Sequence, residues 1–367
     1  MKSLYIHIPF CRQKCFYCSF VVCVSHQKRR DLYVDCLIGE MKQHKNKQID
    51  SIYLGGGTPS VLSCAQLKKL FDAIYSTFRV SKKAEITLEA NPEDVSVEAA
   101  AHFVAMGVNR FSLGVQSLND PCLKSLGRGH DARTAKHAYD VLRQKGAENI
   151  SVDLISMLPG QTMRELMMDI RKIISWKPEH ISLYALTIEK NSRMYALNSK
   201  LPSEQKQRTL FLAVKKACEE AGFHHYEVSN FARSGFESRH NMNYWQGGDY
   251  IGIGMAAHSH IKGRRYWNVS RLMDYVNGIT QGQSVIEEEE KLSNKQRLME
   301  AICFGLRMTE GVDLSFLQKK FGVSLDVDRV DLIQALMDEG YLFQEKKKIK
   351  VTCDGMLVLD EISSRLI

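Results

Sequence analysis

Residues 1–20 read MKSLYIHIPFCRQKCFYCSF. The apolar run Leu4–Ile8 predicts a short buried strand, and it flows straight into Cys11, Cys15 and Cys18, spaced x3 and x2. Three thiolates on one short loop can hold three irons of a [4Fe–4S] cube and leave the fourth iron without a protein ligand. An open metal position suits catalysis, whereas structural sites tend to be closed. The competing reading is a zinc site completed by Cys23 or His26. The x3–x2 spacing, with aromatic Tyr17 just before the last cysteine, favours the cluster.

Outward from this loop, short apolar strands alternate with amphipathic helical stretches. Strands are expected at Leu4–Ile8, Ser51–Leu54, Glu85–Glu89, Arg110–Gly114, Ser151–Ile155 and His180–Tyr184. Helices are expected at Lys28–Lys42, Ala65–Thr77, Val97–Met106, Ala132–Lys145 and Met163–Ser175, with Gly107 and Gly146 where C-caps belong. Such alternation predicts an α/β fold, a parallel sheet with helices outside, whose chemistry sits on the loops after the strands. Cys11, Gly55–Gly57, Glu89, Gln116 and Asp153 all fall at or near that edge. After Tyr184 come a charged helix at Ser203–Ala221, a short strand near Tyr226–Val228 and a loop rich in Gly, His and aromatics running to about Trp267. From about Asn294 the pattern is mostly helical, ending in a hairpin at Leu342–Val351, and the acidic run Glu287–Glu290 marks the junction. The expected organisation is a barrel over 1–230, a connecting segment over 231–290 and a small helical, winged domain over 291–367.

The chain has 367 residues, 44% hydrophobic and 25% charged, which suits a globular enzyme with more than one domain. There is no apolar run long enough for a membrane helix and no signal peptide, so a cytoplasmic location is expected. Ten cysteines there are not a disulfide framework. A net charge of +8 spread over short runs argues against nucleic-acid binding and leaves room for transient contact with an anionic membrane surface.

The opening segment followed by YLGGGTPS (53–60) resembles the start of a radical S-adenosylmethionine (SAM) protein. More narrowly, with GVQS (114–117), LPGQT (158–162), HNMNYW (240–245) and GIGMAAHSH (252–260), the chain resembles the oxygen-independent coproporphyrinogen III oxidase family and its HemW-type haem-chaperone branch. The resemblance implies a partial (βα)6, TIM-like radical SAM barrel with a smaller, mostly helical C-terminal domain. It also implies that SAM binds the open iron. Tyr5 matches the tyrosine that approaches SAM, and Tyr17 the aromatic whose backbone meets the adenine. Gly56, Gly57 and Thr58 match the segment that pairs with the SAM amino group, and Glu89 a SAM-contacting carboxylate. Gln116, Arg128 and Asp153 match positions that line a second SAM site in the oxidase. From the residues alone, the glycines could equally form a turn needing positive φ. Glu89 could be a cap, and the last three a structural polar network.

Two departures favour the haem-chaperone branch over the oxidase. Phe20 stands where the oxidase has a further cysteine, and only ten residues precede Cys11. His240-Asn241-Met242-Asn243-Tyr244-Trp245 resembles the branch's HNxxYW signature, which implies haem binding with His240 as a ligand. The alternative is that His240 caps a turn over which the aromatics pack. His258 and His260 are weaker haem candidates, in a stretch expected to shape the site's floor. The implied partners are haem and haem-accepting respiratory proteins, with the chain as a homodimer. The implied alternative is a decarboxylase forming protoporphyrinogen.

Overall fold

Alternation along the first strand sets the architecture. Leu4, Ile6 and Ile8 are fully buried, and residues two apart share a face of a strand, so Ser3, Tyr5 and His7 face the other way. The structure, a computed structural model, describes residues 2–24, 27–325 and 329–366; His26 lies outside them. Strands β1 (Lys2–Ile8), β2 (Gln48–Gly56), β3 (Arg79–Ala90), β4 (Arg110–Gln116), β5 (Ile150–Ser156) and β6 (His180–Ala185) form in that order, each parallel to the next. This is a six-stranded partial barrel with helices at 27–41, 64–77, 97–105, 132–144 and 163–175 between the strands. Capping boxes at Ser63/Gln66 and Thr162/Glu165 start two of them. The expected C-caps are met at Gly107 and Gly146, with φ of +95° and +90°.

The sheet continues past both edges. On the β6 side it adds β7 (His224–Glu227) and β8 (Asn230–Ala232), running antiparallel. On the β1 side it adds β9 (Asp249–Ile253), parallel to β1, then β10 (His258–Ile261), β11 (Arg264–Asn268) and β12 (Ile286–Lys291). Among the described residues the main sheet has twelve strands. The stretch read as a loop to Trp267 is therefore a helix, Arg239–Trp245, and four strands, β8 to β11. Glycines in YIGIG blurred an alternation in which Tyr250 and Gly252 continue the Ser3–Tyr5 row of β1. The acidic run is likewise an edge strand, its Glu289 and Glu290 paired with Arg264 and Arg265 of β11.

The C-terminal part has helices at 294–307, 314–321, 330–338, 353–357 and 359–366 beside a sheet of β13 (Val312–Asp313), β14 (Leu342–Glu345) and β15 (Lys348–Val351). It is tied to the barrel by Val228 N–H to the Arg307 carbonyl (3.1 Å), Thr309 N–H to the Tyr226 carbonyl (3.1 Å) and the Arg208–Asp354 ion pair. No helix among the described residues is long and apolar enough to cross a membrane.

The barrel interior is polar in register. Successive rungs pair Ser3 with Ser51 and Tyr5 with Tyr53, Ser51 with Glu85, Glu89 with Ser112, and Ser151 with His180. The lower rungs form a closed floor. The upper ones, at the C-terminal strand ends, open into a cavity.

Candidate functional site

The cluster loop is held by backbone before any ligand arrives. Cys23 N–H donates to the Pro9 carbonyl (2.7 Å), Cys11 N–H to the Cys23 carbonyl (3.1 Å) and Phe16 N–H to the Leu126 carbonyl (2.9 Å). The glycine turn after β2 packs against the same loop. Gly57 N–H meets the Ile8 carbonyl and Thr58 N–H the Phe10 carbonyl, both at 2.8 Å. Gly56 has φ +106°, and a Cβ there would fall 2.4 Å from the His7 ring; a Cβ at Gly57 would fall 2.8 Å from the Ile8 oxygen. Both positions therefore require glycine. The turn's N–H groups are already used, so what it offers a ligand's ammonium is carbonyl oxygen.

Cys11, Cys15, Cys18 and Tyr17 line one cavity of about 460 Å³ with Gly56, Gly57 and Thr58. Glu89, Gln116, Arg128 and Asp153 line it too, so the barrel mouth gathers nearly every expected site residue. Burial pushes the Cys11 thiol up to about 11, and the neighbouring Cys18 and Cys15 add to it against the Thr58 hydroxyl 3.3 Å away. Crowded thiols of this kind are a soft donor set, and once deprotonated they suit iron–sulfur centres or zinc. No three His, Cys, Asp or Glu side chains among the described residues converge on one point as a single ion needs. Three thiols from one short loop that line a single cavity are a donor set that fits such a cluster.

Arg128 ties the cluster loop to the barrel. Its guanidinium donates to the Cys15 sulfur (3.4 Å), Asn91 Oδ1 (2.6 Å) and the Gly114 carbonyl (2.8 Å). Glu89 accepts from the Tyr53 hydroxyl (2.7 Å) and Gly56 N–H (3.2 Å). Burial raises it to about 7, Asp153 adding and the Tyr53 bond opposing. Asp153 is also raised by burial, while Ser112 (2.6 Å) and Ser151 (2.8 Å) donate to it. Gln116 sits at φ +67°, uncommon for a residue with a side chain, and its buried Oε1 has no partner. Strain and an unmet acceptor at one residue mark a ligand site.

Tyr5 lies apart from this group. Its hydroxyl is 2.9 Å from His7 Nδ1, and both residues line a second cavity of about 650 Å³. That cavity adjoins the first along Gly56, Glu89, Ser19 and Phe20, and it reaches Tyr244, Trp245, His258 and His260.

His240 is not brought to either cavity. It is 1% exposed, with Nδ1 3.0 Å from Ser51 Oγ and Nε2 2.8 Å from the Tyr244 hydroxyl. Its own N–H and that of Arg239 donate to Glu85 (3.0 Å each). Burial, with Arg110 adding, lowers its imidazole to about 3. With both ring nitrogens bonded inside the barrel floor, His240 in this arrangement plugs the floor and has no free lone pair for iron. His240→Ala is expected to lower stability by about 2–4 kcal/mol in urea titration while leaving the ligand signature of any bound haem unchanged.

Tyr53, Asn91 and Tyr184 complete the first cavity and were not singled out from the sequence. The signal was available: polar residues recur at every second position on all six strands, marking a polar interior.

The chain matches the Radical SAM superfamily model over residues 5–173 and the HemN C-terminal domain model over residues 292–358. A relative from Lactococcus lactis named heme chaperone HemW is 36% identical over 358 residues, covering 96% of this chain and 94% of its own. Its Bacillus subtilis counterpart is 35% identical, covering 99% and 98%. Among solved structures, the coproporphyrinogen III oxidase HemN from Escherichia coli superposes with a TM-score of 0.88 at 23% identity, over 100% of this chain and 89% of that one. The fold is thus the one shared with that oxidase, and the chain belongs to the radical SAM superfamily, in the family of the HemW haem chaperones.

Proposed function

We propose that the protein is a haem chaperone that binds haem and passes it to haem-requiring respiratory proteins, carrying a SAM-liganded [4Fe–4S] cluster. The observation that carries this reading is similarity to proteins named heme chaperone along 96% of the chain, spanning both the barrel and the C-terminal domain. Phe20, where the oxidase resemblance calls for cysteine, agrees with it. It is 64% exposed at the edge shared by the two cavities.

Cys11, Cys15 and Cys18 would hold the cluster, and Glu89 with the glycine turn would receive the ammonium of SAM. When bound, this pair supplies one-electron reductive cleavage of a carbon–sulfur bond. The protein's part is to seat and shield it. Arg128 braces Cys15, Thr58 braces Cys11, and Tyr53 orients Glu89.

Glu89 predicts a pH dependence. A cation favours its ionised form, and burial holds it protonated until about pH 7. SAM affinity should therefore rise between pH 6 and 8, by up to about tenfold per pH unit below 7. Calorimetry on reconstituted protein checks this, and Glu89→Gln should both weaken binding and flatten the profile.

The oxidase reading has one observation in its favour: Gln116, Arg128 and Asp153 share the cysteines' cavity. Anaerobic incubation with coproporphyrinogen III, SAM and reductant separates the two. The chaperone reading expects no protoporphyrinogen, together with transfer of bound haem to an apo-haem protein; turnover to protoporphyrinogen would overturn it.

A further inference from the structure

The second cavity is a cleft between the β1-side extension of the sheet and the helix 294–307. Tyr244, Trp245, Tyr250 and Phe304 give it an aromatic wall, with Phe20 and Val21 at the lip. A third cavity of about 560 Å³ adjoins it and shares Trp245, Gly247, His260 and Glu300. Its lining is cationic: Lys262, Arg297 and Lys320. None of these three forms an ion pair with a carboxylate among the described residues. The carboxylates in the same walls are occupied. Glu300 pairs with Arg265, Asp313 accepts the N–H groups of Ser315 and Phe316, and Asp249 accepts that of Lys262. An aromatic slot joined to cations that have no carboxylate partner (Lys320 lies over the Phe316 ring, 4.9 Å to its centroid) calls for a flat apolar ligand with anionic groups on one edge.

The junction holds an imidazole ready for a metal. His260 Nδ1 lies 3.3 Å from the Gly248 carbonyl, an acceptor that keeps the imidazole proton on Nδ1 and leaves Nε2 with its lone pair. That Nε2 is buried and has no partner. A backbone carbonyl bound at one nitrogen and a free second nitrogen is the usual arrangement of a metal-ligating histidine. Trp245 Nε1 and His7 Nε2, in the same lining, are also buried and unpartnered. Burial at this density without partners is costly unless a ligand relieves it.

We infer that haem binds across these two adjoining cavities with His260 Nε2 as an axial iron ligand, its ring against Tyr244 and Trp245 and its propionates toward Lys262, Arg297 and Lys320. This rests on the haem-chaperone reading and adds the site. It places the HNMNYW motif's contribution in its aromatic end, with His240 holding the helix that carries Tyr244 and Trp245 in place. His258 lines the same cavity but stacks on Trp267, 5.4 Å between centroids, so it is the natural comparison.

The test titrates full-length, cluster-reconstituted protein with haem anaerobically, following absorbance and electron paramagnetic resonance. The variants are His260→Ala, His258→Ala and the triple replacement of Lys262, Arg297 and Lys320 by Ala. His260→Ala should weaken binding at least about tenfold, the order of one lost metal ligand, and lose the imidazole signature. Imidazole added to His260→Gly should restore that signature. The triple variant should weaken binding with the signature intact, and His258→Ala should keep the imidazole signature. Unchanged affinity and signature in His260→Ala, with wild type binding haem, would overturn this site alone. A wild type that binds no haem would overturn the chaperone reading with it.

Discussion

Serine at any one of Cys11, Cys15 or Cys18 should reduce the iron and acid-labile sulfide of reconstituted protein from about four each per chain to less than about one. A cube held at three corners loses a third of its protein bonds with each thiolate, and serine is a poor substitute for a soft ligand. The same substitution at Cys23, Cys36 or Cys218 should leave the content unchanged, since none of these lines the cluster cavity. The effect should extend to stability. Because the unfolded chain has no such site, the binding free energy of a metal centre adds to folding free energy, so the loop tying Pro9 to Cys23 and Phe16 to Leu126 should become more open to proteolysis in the variants. Iron and sulfide assays with limited proteolysis read both. Full cluster content in Cys15→Ser would break the assignment, because Cys15 is the sulfur that Arg128 braces.

The second large effect is expected at the opposite end of the barrel. Glu85 is 7% exposed and receives the N–H groups of Arg239 and His240, and its charge favours the ionised form of fully buried Arg110. Removing it leaves the Arg239 and His240 N–H groups without their acceptor and takes away the charge that most favours the Arg110 guanidinium in the floor. Glu85→Ala is expected to lower unfolding free energy by roughly 3–5 kcal/mol. Glu85→Gln should cost less, because its amide oxygen can still accept. Urea denaturation of the apo-protein measures both. Equal, small losses would mean that the floor is held chiefly by its apolar surroundings.

The six barrel strands and their helices were legible because each is specified locally. Leu4–Ile8 alternates within itself, and Ser63/Gln66 and Thr162/Glu165 announce helix starts over four residues. The additions at the β1 edge were not legible. β9 is a strand because it pairs with β1, some 245 positions away along the chain, and its glycines weaken the local pattern. The site divides in the same way. The cysteine spacing and the glycine turn are local features, and the structure sets them in one cavity with Glu89, Gln116, Arg128 and Asp153. His240 shows where local reading stops. Its neighbours in sequence, Tyr244 and Trp245, suggest a haem ligand, but its partners Ser51 and Glu85 lie 189 and 155 positions away. No local pattern reports a histidine whose role is to close a barrel floor. The in-register polar rungs did carry the information, and reading all six strands together rather than one by one would have found Tyr53 and Tyr184.

Carriage of haem by this radical SAM protein is the property from which the second site follows. An anaerobic haem titration of the cluster-reconstituted wild type, followed by absorbance with the cluster spectrum subtracted, tests it most directly. Saturable binding near one haem per chain is expected. Absence of saturable binding in protein with full cluster content would contradict it.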